Sequence, residues 1–121
     1  HQRSVTVNDA AWIITDQISG PARTVTARLH WLLPDWPWAL EGGRLQLTSP
    51  EGETIALDIQ AAGAQFTLVR AGERLAGDLE FPPILGWYSP TYDYKEPALS
   101  FIVEVTGLAP LEFSSRWELP A

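Results

Sequence analysis

The stretch Arg23-Thr24-Val25-Thr26-Ala27-Arg28-Leu29-His30-Trp31-Leu32-Leu33 sets Val25, Ala27, Leu29, Trp31 and Leu33 in one phase, with Thr24, Thr26, Arg28 and His30 in the other. Successive side chains of a β-strand point to opposite faces, so this segment reads as a strand with one apolar and one wet side. Such unequal faces belong to an antiparallel sheet that covers a core on one side, which favours a β-sandwich over a barrel.

The flanking segments repeat the pattern. Before it, Arg3 to Asn8 alternates Val5 and Val7 with Ser4 and Thr6, turns at Asn8-Asp9 and continues as Ala11 to Gln17. Ser19-Gly20-Pro21 breaks that segment. After it, Pro34 to Gly43 reads as a loop holding Trp36 and Trp38. Arg44 to Thr48 and Glu53 to Gln60 flank Ser49-Pro50-Glu51-Gly52, which predicts a hairpin with Leu45, Leu47, Ile55, Leu57 and Ile59 inward. Gln65 to Arg70 is one more short strand. Ala98 to Thr106 and Leu111 to Leu119 read as a last pair, with Leu99, Phe101, Val103 and Val105 facing Leu111, Phe113 and Trp117. Ala71 to Pro97 is the longest stretch without strand pattern. No ten residues carry a capped 3.6-residue period, so the expectation is all-β: an antiparallel β-sandwich of about seven to nine strands with little helix.

The chain has 121 residues, the size of one domain, and 45% hydrophobic residues, enough for a core. It starts at His1 without a Met anywhere, and the expectation is one β-sandwich domain, residues 1–121, cut from a longer protein. A net charge of -7 with scattered cations argues against a phosphate backbone, so no nucleic acid is expected as partner. There is no apolar run near the ~20 residues of a membrane span, and no membrane partner is expected. The absence of Cys removes disulfides, thiolate chemistry and Cys-containing metal sites. His1 and His30 are 29 positions apart with no second-ligand spacing, and Asp78, Glu80, Asp93 and Glu96 lack a calcium-loop pattern, so neither metal nor other cofactor is expected.

Chemistry concentrates in two aromatic segments. Gly86-Trp87-Tyr88-Ser89-Pro90-Thr91-Tyr92-Asp93-Tyr94-Lys95-Glu96-Pro97 has rings able to stack on pyranose faces, and Asp93, Lys95 and Glu96 able to bond hydroxyls. Pro34-Asp35-Trp36-Pro37-Trp38 has two prolines that stiffen the backbone under a pair of indoles. The candidate substrate-binding residues are thus Trp36, Trp38, Trp87, Tyr88 and Tyr92, with Arg28 and His30 on the polar face of the Arg23 to Leu33 strand. The competing reading has Trp87 and Tyr88 folding over an open end of the sandwich to close its core. No G-x-S-x-G and no phosphate-cradling glycine loop occurs, and Glu41-Gly42-Gly43 opens a strand with no helix behind it. Eliminative cleavage of an acidic sugar, by a Tyr or His base with a cation on the uronate carboxylate, is the chemistry the residue types leave open.

His1-Gln2-Arg3-Ser4-Val5, Trp12-Ile13-Ile14-Thr15-Asp16 with Ser19-Gly20, His30-Trp31-Leu32-Leu33-Pro34, and Gly86-Trp87-Tyr88-Ser89-Pro90 with Tyr92 and Glu96-Pro97 occur in an order that resembles the C-terminal β-sandwich part of heparinase II/III-like polysaccharide lyases. The resemblance runs from His1 to about Leu119. It implies a parent enzyme in which an α/α-toroid precedes a β-domain and uronate-containing polysaccharides are cut by β-elimination. It further implies that the family's catalytic Tyr and His lie before His1, so this chain holds no catalytic residue and is inactive alone. The implied partners are the upstream part of the parent chain and an acidic polysaccharide; the implied location is periplasmic or extracellular. Two rival expectations are an independent, weakly binding carbohydrate module and an Ig-like interaction domain. A surface at -7 repels a polyuronate unless arginines cluster, which favours the scaffold role.

Overall fold

The computed structural model describes residues 1–8, 11–20, 22–80, 85–91 and 94–120. Among them are twelve strands and no helix. The expected all-β, antiparallel class is the class observed, and its strand content is sandwich-like. The residues cluster into two compact units. One comprises His1–Ala27, Trp36–Ala64 and Val105–Ala121, the other Arg28–Asp35 and Gln65–Glu104.

The first unit holds a six-stranded sheet of β1 (Gln2–Asn8), β2 (Ala11–Ile18), β4 (Trp38–Glu41), β5 (Arg44–Thr48), β6 (Thr54–Gln60) and β12 (Leu111–Glu118), ordered β1-β2-β12-β6-β5-β4 and antiparallel throughout. Its register aligns Leu45, Leu57, Trp117 and Trp12 in one row, and Ile59, Ser115 and Ile14 in the next. This is the apolar side, where Leu45, Leu47, Leu57 and Ile59 are buried as the hairpin pattern predicts and Ile55 is half-buried, and where Phe113 of β12 is buried too. Each such burial contributes roughly 1.5–3 kcal/mol. The β5-β6 turn is closed by Gly52 N–H donating to Ser49 C=O at 2.9 Å and Glu53 N–H donating to Ser49 Oγ at 3.0 Å. Gly52 supplies the φ of +86° that the turn requires.

The second sheet is ordered β3-β11-β7-β8, from β3 (Thr24–Leu33), β11 (Leu99–Leu108), β7 (Gln65–Arg70) and β8 (Glu73–Ala76). β3 and β11 contribute residues to both units. β3 alternates as its sequence requires, with Leu29 and Leu33 buried and Thr24, Thr26, Arg28 and His30 exposed. β11 does not alternate: Leu99, Ser100, Phe101, Ile102 and Val103 are all buried. Within the second unit, Phe66 and Phe101 stack on one face at 5.8 Å between centroids. On the other face Leu79 packs on Val69 and Ile102, with Leu85 against them. Backbone bonds hold this cover down, because Leu79 N–H donates to Thr67 Oγ1 and Gly86 N–H to Ser100 Oγ, both at 2.9 Å. Two buried hydroxyls thereby become acceptors for the Leu79 and Gly86 amides.

Four expectations need correction. β11 and β12 do not pair with each other: β12 lies between β2 and β6, and β11 between β3 and β7, so both edges of each strand are already occupied. The two-residue Ala109-Pro110 link transfers the chain between sheets instead of closing a hairpin. Pro34 to Gly43 is not all loop, since Trp38–Glu41 is a strand too short to show a period by itself and is specified by its partner β5. Glu41-Gly42-Gly43 accordingly forms the turn between two strands, not merely the opening of one. Ala71 to Pro97 also contains strands: β8, and a ribbon of β9 (Trp87–Thr91) and β10 (Tyr94–Pro97). Proline disguises the ribbon, yet each member of a two-stranded ribbon has an open edge where a missing N–H costs nothing.

Candidate functional site

The predicted site residues fall in both units. In the first, Trp36 is half-buried, and Trp38 opens β4 directly opposite the buried Leu47. Its indole therefore stands on the apolar side of the sheet while remaining 39% exposed. In the second unit Trp87 is half-buried, with Lys95 Nζ 4.5 Å from its ring centroid. That ammonium occupies the face a pyranose would need. Tyr88 lies opposite Glu96 in the ribbon and is 49% exposed. Tyr92 and Asp93 lie outside the described residues.

Arg28 and His30 share the outward face of β3. The Arg28 guanidinium donates to Glu104, so its charge is neutralised within the sheet. His30 is exposed by area, but the neighbours that do crowd it desolvate the imidazolium and lower its pKa from the ordinary histidine value. Among the described residues, no hydrogen bond or ring contact joins Arg28 or His30 to Trp87 or Tyr88.

A constellation the sequence reading missed lies at the β1-β2 hairpin. Asp16 takes the apolar phase of β2 after Trp12 and Ile14, and its side chain is 1% exposed. Its carboxylate accepts from Arg3 Nε at 2.7 Å, from the same guanidinium's terminal nitrogen at 3.2 Å, and from His1 Nε2 at 2.9 Å. The bond to Asp16 raises the Arg3 pKa. The signal was present in the hairpin register, which sets Arg3 opposite Asp16. The dyad geometry of His1 and Asp16 is shared with Arg3, and this pairing favours an anchored charge over a poised base.

The opposite, polar side of the six-stranded sheet carries an ionic ladder. Arg44 spans Asp58 at 3.5 Å and Glu118 at 3.3 Å, and Arg116 reaches Glu118 at 3.6 Å. Arg44 holds the Glu118 carboxyl below the usual range, as Arg70, bonding Asp35 at 2.7 and 2.8 Å in the second unit, does for Asp35. Beside the ladder are two open hollows of about 230 and 430 Å³ whose linings share Gln60 and Ser114. No group of three or more metal-ligating side chains converges among the described residues. Among the described residues no helix is long and apolar enough to cross a membrane. No family model, curated protein or solved structure matches this chain.

Proposed function

We propose that the chain is a non-catalytic β-sheet scaffold segment, and that the parent protein is a heparinase II/III-like lyase acting by β-elimination on uronate-containing glycans. The supporting observation is the disposition of the arginines. Arg3, Arg28, Arg44, Arg70 and Arg116 are each turned onto a carboxylate of the chain itself. β-Elimination needs a cation free to neutralise the substrate carboxylate beside a base, and these five guanidiniums are taken up by the chain's own carboxylates instead. The lyase parentage rests on the motif order from His1 to Glu96-Pro97.

The purified chain, incubated with uronate polymers, is expected to produce no rise in the ultraviolet absorbance of unsaturated uronate products. A rise would overturn the non-catalytic reading and direct attention to His30 and Tyr88. The scaffold role is tested in the parent polypeptide with and without this segment. The truncated form is expected to lose thermal stability, and unchanged stability and turnover would contradict the role. A second reading, a weak carbohydrate module, draws on the exposure of Trp38 and Tyr88. It requires that Trp38→Ala and Tyr88→Ala abolish oligosaccharide binding in a folded chain.

A further inference from the structure

The polar side of the six-stranded sheet carries one row that no charge interrupts. The register places Gln60 of β6 beside Ser114 of β12, Ser114 beside Thr15 of β2, and Thr15 beside Ser4 of β1. At the inter-strand spacing of about 4.8 Å this row runs about 14 Å. Gln60 and Ser114 form the wall common to the two hollows, and among the described residues no hydrogen bond engages either side chain. Ile13 gives the smaller hollow an apolar floor.

The charged neighbours are already committed, Asp58 to Arg44 and Arg116 to Glu118. Along the row itself the groups left to meet a ligand are an amide and hydroxyls, each of which both donates and accepts, with the Glu112 carboxylate beside them in the larger hollow. A complementary ligand carries groups that also donate and accept, repeated at close to the strand spacing, as the hydroxyls of successive pyranose residues are. Negative charge is disfavoured by Glu112 on the rim of the larger hollow and by the net charge of -7. We infer that the row from Gln60 to Ser4 is a binding track for an extended, neutral oligosaccharide. It shares no residue with the aromatic set singled out in the sequence and does not depend on the lyase parentage.

The test is amide chemical-shift mapping of the full chain with cellotetraose, mannotetraose and tetragalacturonate. A neutral tetraose is expected to move the amides of Gln60, Ser114 and Thr15 with a Kd on the order of millimolar. Tetragalacturonate is expected to move them less at equal concentration. The double variant Gln60→Ala/Ser114→Ala, at two solvent-facing positions, is expected to weaken the neutral ligand about threefold or more with the rest of the spectrum unchanged. Trp38→Ala is expected to leave the binding intact. Silence of this row with both neutral sugars, equal response to tetragalacturonate, or loss of binding in Trp38→Ala overturns the track. None of these outcomes bears on the ultraviolet assay for elimination, so the two proposals fail separately.

Discussion

Asp16 shows how one residue out of phase is accommodated. A carboxylate in the apolar phase of β2 is tolerated because the guanidinium facing it in the hairpin register folds over it. Arg3→Ala is expected to destabilise the chain by about 1–3 kcal/mol in urea unfolding, because it leaves a buried acceptor short of donors. A loss no larger than at a solvent-facing control such as Thr6→Ala would contradict this. His30 makes a second prediction. Its folded-state pKa is the lower one, so the unfolded chain takes up the proton first. The stability given by neutral His30 is intact above the ordinary imidazole range and fades as pH falls through that range toward the folded value. Imidazole proton titration is expected to place the His30 midpoint below the ordinary histidine value; a midpoint above it would refute the desolvation. Asp35 and Glu118 act in the same direction at lower pH, since their depressed values give stability that is complete above the ordinary carboxylate range and lost as pH falls through the folded values. The outward phase of Arg28 and His30 was legible from alternation, whereas the Arg28 pairing with Glu104 was not, because those residues are 76 positions apart.

Among the elements, the cover over β7 and β11 depends on two glycines that leave no space. A Cβ on Gly77 would fall on the Phe66 carbonyl oxygen and within 2.7 Å of Thr67 Cα, and one on Gly86 would lie 2.5 Å from the Ala71 nitrogen. Both have positive φ, +84° and +82°. Gly52, at +86°, has open space around it. Gly77→Ala and Gly86→Ala are therefore expected to cost clearly more than Gly52→Ala, which carries only the backbone strain of about 1–2 kcal/mol. Equal urea midpoints for the three would refute the close approach. Thr67→Val is expected to cost about 1–3 kcal/mol by orphaning the buried Leu79 N–H. Strands with a long period were readable from sequence: Gln65–Arg70 and the hairpin around Ser49 to Gly52 are where alternation and turn chemistry put them. Trp38–Glu41 and the β9-β10 ribbon were not, because four or five residues, in the ribbon with proline among them, carry no period of their own and exist through their neighbours.

Across the whole molecule, protection should be unequal. β11 is buried on both faces from Leu99 to Val103, while β1 is an edge strand with Val5 and Val7 54% and 61% exposed. Native-state amide exchange is expected to be slowest in 99–103 and 66–69 and fastest in β1. Uniform protection, or a β1 as slow as β11, would show that burial does not rank the strands. The sheet class followed from the amphipathic segment Arg23 to Leu33 alone. The membership of sheets did not, because β11 and β12 are each flanked by strands distant in sequence and no local signal distinguishes a sheet-changing link from a hairpin. The polar track was invisible for the same reason: Gln60, Ser114, Thr15 and Ser4 are ordinary residues until four strands are laid side by side.

The ammonium over Trp87 has a practical consequence. Lys95 is the single lysine of a chain without cysteine, and its side chain is exposed. Amine acylation therefore addresses one side-chain position, alongside the terminal amine, and erases the charge above the indole as it attaches. The β9-β10 ribbon is in effect a ready-made labelling handle, where a dye, a spin probe or a surface tether can be installed without altering a codon.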